Sequence, residues 1–349
     1  MKVDEVLIEV VEQCVRIDAK AAAIYHNFAK NSGDEKLKTM WDRMASEEEG
    51  HVEAWKRFIV FIKEAAASFV FEEPLLIKKE LKGIMENVER FLEESRTIGD
   101  TPEAFVIACN LELYMLNRSF VNLFYYLQSI SEKDHNFGEE YGAHLGNFIA
   151  AINEYDASPE MKVLGGAIQR LWVDNMDLVI QNNRDFLTGV LNRRGFFQTI
   201  TPLAYMAQRD GHNVGIIMLD CDNFKKVNDQ HGHQAGDDIL KLIGDALRTT
   251  VRKSDIVGRY GGEEFIIFLS NVSPDHLLDV AEKIRMDIEE RSKAHIPVTA
   301  SLGVAQRVLG RDADRHVEDL IKEADEYMYQ AKRAGKNRVM GDHNSYKDN

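Results

Sequence analysis

The spacing of apolar positions changes once along the chain, near residue 185. Up to about residue 155, apolar side chains recur three and four positions apart, which is the period of an amphipathic helix. The segments that show this period are "VLIEVVEQCVRIDAKAAAIYHNFA", "LKTMWDRMASEEEGHVEAWKRFIVFI", "PLLIKKELKGIMENVERFLEES", "PEAFVIACNLELYMLNRSFVNLFYYL" and "FGEEYGAHLGNFIAAINEY". The pattern predicts an all-α helical bundle over residues 1–155.

After residue 185 the pattern alternates between strands and helices. Buried or alternating apolar runs predict strands at "NVGIIMLD", "DIVGRY", "EFIIFLS" and "IPVTASLGVAQ". Helical periods separate them at "AGDDILKLIGDALRTTVR", "SPDHLLDVAEKIRMDIEERSK" and "VEDLIKEADEYMYQAKRAGKNRV". Residues 186–349 are therefore predicted to form an α+β domain with a mixed sheet.

Between these parts, residues 156–185 are predicted to form a coiled-coil signalling helix. Its seam alternates steps of three and four through Met161, Leu164, Ile168, Leu171, Asn175, Leu178 and Asn182. A polar Asn at a seam position typically fixes register and strand number. The pattern favours a homodimer formed through this helix, and the alternative is one helix that packs the stripe on its own domain.

Composition narrows the class of protein. A chain of 349 residues suits two domains of about 150 residues each. The net charge of −15 is concentrated in residues 1–160, with 17 basic and 30 acidic side chains, which argues against nucleic-acid binding. No apolar run approaches the roughly 20 residues that span a bilayer. Three cysteines without CxxC spacing and an acidic N-terminus predict a cytoplasmic protein without membrane attachment.

Acids and histidines recur in two helix pairs of the bundle at nearly the same spacing. Asp18 precedes His51 by 33 positions, and Glu112 precedes His144 by 32. Glu48 and His51 form a Glu-x-x-His stretch, whose side chains project from one helix face. The pattern resembles the ferritin-like, rubrerythrin-type four-helix bundles. That resemblance implies a pair of iron, manganese or zinc ions held by Asp18, Glu48, His51, Glu112 and His144.

The second half of this pattern departs from the family. Tyr141 stands three positions before His144, where an acid is expected, and Glu140 is one step off. Glu132 and His135 are also three apart, in a predicted loop. Asp18 replaces the usual Glu. A metal-free helical input domain is therefore the alternative, and the lack of rubredoxin-like Cys pairs favours sensing over oxidase or peroxidase turnover.

The stretch "RYGGEEF" places two glutamates at the tip of a predicted hairpin. The first long strand ends at Asp220, so Glu263 and Glu264 would lie beside it at a neighbouring strand end. Carboxylates massed in this way suit Mg²⁺, which binds through a few carboxylates together with substrate phosphates.

Five motifs occur in an order and spacing that resemble the GGDEF family of diguanylate cyclases over about residues 183–342. They are "RDFLTGVLNRRGF", "LDCDNFKKVNDQHGHQAGD", "RKSDIVGRYGGEEF", "TASLGVA" and "YMYQAKRAGKNRV". The resemblance implies a palm-like, ferredoxin-type domain that condenses two GTP molecules into cyclic di-GMP and releases pyrophosphate. Each partner of a homodimer would hold one GTP, and each 3′-hydroxyl would attack the α-phosphate of the other.

The resemblance also assigns the metal ligands. Asp220, the backbone carbonyl of Cys221 and Glu263 match the family's ligands for Mg²⁺ or Mn²⁺, with Glu264 beside them as a further ligand. Glu263 is in addition the candidate that helps to deprotonate the attacking hydroxyl.

Five further residues are assigned to the substrate by the same resemblance. Asn228 and Asp237 match the pair that reads the guanine base, while Lys225, Lys332 and Lys336 would hold the triphosphate. Lys336 stands where Arg is common, so charge is kept and the bidentate fork is lost. The alternatives are that Asp237 only caps a helix and that Lys332 lies on a solvated face.

Arg252 and Asp255 resemble the family's RxxD inhibitory site, where cyclic di-GMP binds as product inhibitor. Guanidinium can hold a phosphate or a guanine edge through two hydrogen bonds. A surface ion pair is the alternative for this site. For the whole domain, the alternative is a catalytically silent nucleotide receptor, which the intact acids of the motif argue against.

Overall fold

The structure is a computed structural model that describes residues 3–65, 74–99, 102–117, 120–121, 137–154, 158–310 and 313–341. The chain divides into two compact units, Met1–Val179 and Ile180–Asn349. Among the described helices, none has both the length and the apolar composition that crossing a bilayer requires.

The described part of the first unit is helical. Its helices are α1 (Val3–Asn31), α2 (Glu35–Ala65), α3 (Pro74–Ser95), α4 (Pro102–Met115), α5 (Phe137–Glu154) and α6 (Pro159–Asn183). The apolar faces of α1 and α2 meet around buried aromatic rings, where Tyr25 stacks on Trp41 at 5.8 Å and Phe28 lies 5.1 Å from Trp41. The helical prediction is confirmed here, whereas the ferritin-like assignment stays a prediction. The end of the predicted third bundle helix and the pair Glu132 and His135 lie outside the described residues.

The predicted seam of α6 is only partly buried within the first unit. Met161 and Ile168 are 8% and 0% exposed and pack on their own unit, whereas Leu171 and Leu178 are 46% and 54% exposed. Asn175, a seam position, donates its side-chain amide to the Leu116 carbonyl of the same chain at 3.0 Å.

The difference has a physical cause in the helix pattern. A stripe of apolar residues at steps of three and four is the same whether it covers the chain's own bundle or a second copy. The side of α6 that turns inward includes Trp172 and Val179, which the predicted seam omitted. The helix belongs to the first unit up to Val179, although residues 156–185 were predicted as a separate segment.

The second unit is an α+β domain with one mixed sheet, as predicted. Its elements are β1 (Leu191–Asn192), α7 (Arg193–Arg209), β2 (Asn213–Cys221), α8 (Phe224–His231), α9 (His233–Thr250), β3 (Ile256–Gly261), β4 (Glu264–Ser270), α10 (Pro274–Ser292), β5 (Ala300–Val308), α11 (Ala313–Arg333) and β6 (Val339–Gly341). The strand order is β1-β3-β4-β2-β5-β6, with β2 antiparallel to both neighbours. Edge strands β1 and β6 pair in parallel with β3 and β5.

Strand β2 is the centre of this sheet and is buried along almost its whole length. Helix α11 packs closely on the neighbouring strand β5, because Gly303 lacks a side chain. A Cβ at Gly303 would lie 1.9 Å from the Ala324 carbonyl oxygen and 2.2 Å from the Met328 nitrogen. The glycine of the motif "TASLGVA" therefore sets the distance between α11 and the sheet.

This contact predicts a loss of stability in Gly303→Ala. The added methyl group meets helix backbone, which cannot move aside as a flexible side chain can, so we expect a loss of about 3 kcal/mol. Calorimetric unfolding of the full chain measures it as a lower transition temperature.

Gly83→Ala is the matched control, since Gly83 is an exposed position within α3 with open space around its Cα. That change should stabilise its helix by about 1 kcal/mol. Equal effects of the two substitutions would contradict the packing account of Gly303.

Candidate active site and candidate metal centre

The end of β2 meets the β3–β4 turn, which brings together the acids of the predicted site. Asp220 is paired directly with Glu264 across the antiparallel ladder. The Cys221 amide donates to the Glu263 carbonyl at 3.3 Å. Gly262, at φ +32°, makes the turn that reverses the chain between the strands. The carboxylates predicted at the hairpin tip are thus at one edge of the sheet.

The glycine turn is held from behind by Arg259. Its Nε and one terminal nitrogen donate to the Gly262 carbonyl at 2.9 and 2.7 Å. Its other terminal nitrogen lies 3.1 Å from both carboxylate oxygens of Asp185. Burial would raise the pKa of Asp185, but hydrogen bonds from Thr188 and the Arg259 charge lower it. The sequence prediction missed this ion pair, although both residues stand in the quoted motifs.

Asp220 is buried, and its carboxylate lies 2.7 Å from the Lys332 ammonium group of α11. Burial raises the pKa of Asp220 to about 6; Lys332 opposes this change, and Glu263 and Glu264 add to it. Within the described residues, the carboxylate oxygens of Asp220, Glu263 and Glu264 do not form a cluster in which all three lie within 4.8 Å of one another. Lys332 therefore supplies the positive charge that faces Asp220 in this geometry.

A second buried acid, Asp222, joins the strand end to the loop after α11. One carboxylate oxygen of Asp222 accepts from the Ser301 hydroxyl at 2.6 Å. The other accepts from the Thr299 hydroxyl at 2.7 Å and from the Asn337 backbone amide at 3.0 Å. Asn337 in turn accepts from Arg285 at 2.7 Å. Sequence reasoning missed Asp222, and the signal was its place two residues after Asp220 in "LDCDNF".

The lysines assigned to the triphosphate occupy different positions around this edge. Lys336 lies in the loop that Asp222 holds, at φ +65°, and donates to the Asn223 side chain at 2.6 Å. Lys225 is exposed in the first turn of α8. With Lys332, they place three positive charges near the ends of β2 and α11.

The residues assigned to the guanine base lie side by side. A Cβ at Gly236 would lie 2.0 Å from the Asn228 Oδ1 atom, so the Asn228 amide packs directly on the glycine. Asp237 is the next residue along α9, and both candidate side chains are half-buried. Gly236 was not singled out in the sequence, but it is the contact that brings α8 and α9 together here.

Arg252 and Asp255 form a turn at the foot of the β3–β4 hairpin. The Arg252 amide donates to the Asp255 carboxylate at 2.9 Å, and the Asp255 amide donates to the Arg252 carbonyl at 3.0 Å. Burial raises the pKa of Asp255, against the effect of the Arg252 amide. A cleft of about 210 Å³ lies here and is also lined by His276 and Lys283 of α10.

In the first unit, the five predicted sensor residues lie together in the buried core. The ligand atoms of Asp18, Glu48 and His51 lie within 4.8 Å of one another, and so do those of Glu48, Glu112 and His144. All five side chains are buried. Glu48 is common to both groups, so the geometry is that of two three-ligand sites joined by one carboxylate.

Glu112 is the most heavily hydrogen-bonded acid of this cluster. It accepts from the Tyr25 hydroxyl at 2.7 Å and from the Tyr141 hydroxyl at 2.9 Å, and it lies 3.0 Å from His144 Nε2. The other ring nitrogen of His144 lies 2.6 Å from Glu47. Tyr141, which departs from the expected acid, therefore contacts the cluster through Glu112.

Burial and the neighbouring charges shift the pKa values of the cluster residues in opposite directions. Burial would lower the pKa of His144, but the Glu112 and Glu47 carboxylates raise it well above its usual range. Burial acts to raise the pKa of Glu112, and His144 outweighs it and lowers that pKa. Burial and the Glu48 charge raise the pKa of Asp18 well above its usual range.

The cluster fits a transition-metal ion. Trp55 donates to one oxygen of Asp18 at 2.7 Å, and the other, Oδ1, is buried without a hydrogen-bond partner among the described residues. Such an orphaned acceptor is costly in a protein core. Imidazoles and carboxylates together are ligands that iron, manganese and zinc accept.

Comparison with known sequences gives a family for the second unit. The family "Diguanylate cyclase, GGDEF domain" matches residues 182–338. Diguanylate cyclase DgcM of Escherichia coli K12 is 35% identical over 159 residues, which cover 45% of this chain and 38% of DgcM. Diguanylate cyclase DosC of the same strain is 43% identical over 162 residues, which cover 44% of this chain and 34% of DosC. The chain thus spans less than half the length of these curated relatives.

Among solved structures, the coiled coil and GGDEF domain of DgcB from Caulobacter crescentus, in complex with c-di-GMP, is similar to this chain. It is 25% identical with a TM-score of 0.47, and the match covers 51% of this chain and 94% of the DgcB chain. The family match identifies the domain, together with the mixed sheet and the acids at the end of its central strand β2. Residues 182–338 form a GGDEF domain of the diguanylate cyclase family.

Proposed function

We propose that the protein is a diguanylate cyclase, which condenses two GTP molecules into cyclic di-GMP and two pyrophosphates. The observation that carries the proposal is the edge of the sheet where Asp220 lies opposite Glu264 and next to Lys332. An acid edge for a metal and a neighbouring cation for a phosphate are what phosphoryl transfer requires. The curated names of the relatives support the same activity.

The proposed metal ligands are Asp220, the Cys221 carbonyl, Glu263 and Glu264. Oxygen ligands of this kind suit Mg²⁺ or Mn²⁺, which would neutralise the triphosphate and assist the departure of pyrophosphate. Glu263 is also proposed to accept a proton from the attacking 3′-hydroxyl. Lys332, which neutralises Asp220 at 2.7 Å, becomes available to a phosphate once the carboxylate binds a cation.

The substrate is recognised at both ends in this proposal. Lys225, Lys332 and Lys336 hold the triphosphate, and Asn228 and Asp237 read the guanine edge. The support for base reading is the close contact of Asn228 with Gly236, which fixes the amide next to Asp237. Asp237 lies inside α9, whose N-cap is Gly232, so the alternative that Asp237 only caps the helix does not hold.

Two copies of the chain are needed for the reaction, because each active site is proposed to hold one GTP. We propose a homodimer that forms through α6. Its exposed side carries Val163, Leu171, Val173 and Leu178, and these apolar side chains, of which Leu171 and Leu178 belong to the predicted seam, support the dimer.

Product inhibition is proposed at Arg252 and Asp255. The cleft beside them offers a guanidinium group, a carboxylate and the side chains of His276 and Lys283. Such a set can bind both the phosphates and the guanine edges of cyclic di-GMP.

A second proposed function belongs to the helical unit, which we propose to be a metal-binding sensor of the ferritin-like type. The specific observation in favour is the convergence of Asp18, Glu48, His51, Glu112 and His144 from four helices, with the orphaned Asp18 oxygen among them. Two ions that share Glu48 suit the two three-ligand groups. A metal-free core held by His144 and its acids is the alternative.

The first prediction of this proposal concerns Glu263. Glu263→Gln should reduce the formation of cyclic di-GMP by at least about 100-fold, because the amide keeps the shape of the side chain but loses the charge that binds metal. The measurement is product formation from GTP and Mg²⁺, with circular dichroism to verify the fold. Glu318→Gln, an exposed acid of α11, is the control and should keep the parent rate. Turnover near the parent rate in Glu263→Gln would refute the metal assignment.

A second prediction concerns inhibition by product. Arg252→Ala removes the guanidinium group from the cleft and should raise the concentration of cyclic di-GMP that halves the cyclase rate about tenfold or more. Lys253→Ala removes a neighbouring exposed charge and should leave the inhibition curve unchanged. If both variants were inhibited like the parent, Arg252 would have only a structural role.

The third prediction concerns metal content. After anaerobic loading with Fe²⁺ and gel filtration, the parent protein should retain iron, and His51→Ala should retain markedly less because one group loses its only imidazole. His26→Ala is the control, since His26 is exposed and pairs with Glu49 and Asp42 outside the cluster. Iron content is measured by elemental analysis. A parent protein that retains no iron, manganese or zinc after loading would refute the sensor proposal.

A further inference from the structure

Tyr141 lies in the half of the cluster where the repeat predicts an acid. It is fully buried, and its hydroxyl donates to Glu112 at 2.9 Å. Its ring stacks on His144 at 5.5 Å with an interplanar angle of 19°, and the His51 ring lies at 5.8 Å. One side chain thus contacts three of the five proposed metal ligands.

The same ring also contacts helix α6. The Trp172 ring meets Tyr141 edge to face at 4.5 Å and is itself buried. Gly142, the next residue of α5, leaves room for this indole, since a Cβ there would lie 3.4 Å from Trp172 Nε1. Trp172 is therefore one aromatic contact away from the cluster, while its neighbours Leu171 and Val173 are exposed.

A second contact on the same face of α6 leads to the helix that carries Glu112. Asn175, three residues after Trp172, donates to the Leu116 carbonyl at 3.0 Å. Leu116 follows α4 directly, and its amide donates to the Glu112 carbonyl at 3.2 Å. Side chains three apart project from one helix face. That face of α6 therefore contacts α5 through Tyr141 and the residue that follows α4, Leu116.

Helix α6 then continues along the chain toward the cyclase domain. It ends at Asn183, two residues before Asp185. Within the second unit, Asp185 pairs with Arg259, which holds the Gly262 carbonyl next to Glu263. Only Arg184 separates the end of α6 from Asp185 along the chain.

We propose that Tyr141 and Trp172 couple the cluster to α6, so that the state of Glu112 and His144 sets the position of that helix. The proposal rests on metal binding by the bundle and deepens it. Ligation draws on the Glu112 oxygen and the His144 ring that Tyr141 contacts. Because close-packed rings cannot shift alone, a new position of Tyr141 requires Trp172 to move with it. Tyr141 and Trp172 are positioning residues in this account, and neither is a metal ligand.

The test compares iron-loaded with iron-free full-length protein, using Fe²⁺ added anaerobically and Mg²⁺ in every assay. Two quantities are measured: the cyclase rate and deuterium uptake by the backbone amides of Pro159–Asn183. In the parent, iron should change both. Trp172→Leu should bind the same amount of iron and keep the iron-free rate, but lose both iron-dependent changes. Trp172→Phe restores an aromatic edge and should recover them.

Gln169→Ala is the matched control, since Gln169 is an exposed α6 residue three positions before Trp172 and is not one of the apolar side chains proposed for the dimer, so it should keep both changes. Tyr141→Phe guards against misfolding of the Trp172 variant, because it keeps the ring and removes the hydroxyl that donates to Glu112. This variant should bind iron like the parent, and iron should change its cyclase rate and its α6 deuterium uptake less than in the parent. An undiminished response in either Trp172→Leu or Tyr141→Phe, with iron bound, would overturn the coupling.

The outcomes separate this inference from the sensor proposal on which it rests. Both the sensor proposal and the coupling are overturned if the parent protein binds no iron. They are also overturned if bound iron changes neither the cyclase rate nor deuterium uptake by α6. A parent that responds while Trp172→Leu responds equally overturns the coupling alone and leaves metal sensing in place.

Discussion

The burial of carboxylates constrains both units of this protein. A charged oxygen removed from water must be offset by a cation or by hydrogen bonds, or it becomes protonated. In the helical unit, Asp18, Glu48 and Glu112 are buried together, and in the cyclase domain Asp220 is buried at the end of β2. The helices and strands that surround these acids are arranged so that partners reach them.

Each group of acids has a cation of its own within the protein. Lys332 lies against Asp220, and His144 lies among Glu47, Glu48 and Glu112. A metal ion at either place would compete with that internal cation. In the GGDEF domain, such a competition would release Lys332, the lysine that is proposed to hold the triphosphate. In the bundle, the His144 ring that would reorient is stacked on Tyr141.

The convergence of acids at the end of β2 could be predicted from sequence because it depends on local order. The acids follow strand ends and a glycine turn, and antiparallel pairing then places them together. Asp222 was missed because its partners, Thr299, Ser301 and Asn337, are distant in sequence and become neighbours only through the β2–β5 pairing. The Asp185–Arg259 pair was missed for the same reason, since its members are 74 positions apart.

In the helical unit, the five cluster residues could be predicted from the repeat of acids and histidines, and they do converge. The role of Tyr141 could not, because a departure from a ligand pattern gives no indication of what the substitute contacts. The seam of α6 was predicted to meet a second chain, and Ile168 of that seam is buried within the first unit, since periodicity identifies an apolar face without its partner.

The central claim is that the GGDEF domain, residues 182–338, performs chemistry on GTP and does not only bind it. The most direct measurement is to incubate the purified full-length protein with GTP and Mg²⁺ and to identify the products by mass spectrometry. The account predicts cyclic di-GMP together with two pyrophosphates for each molecule formed. GTP that is bound but recovered unchanged, with no cyclic di-GMP, would contradict it and would identify the domain as a nucleotide receptor.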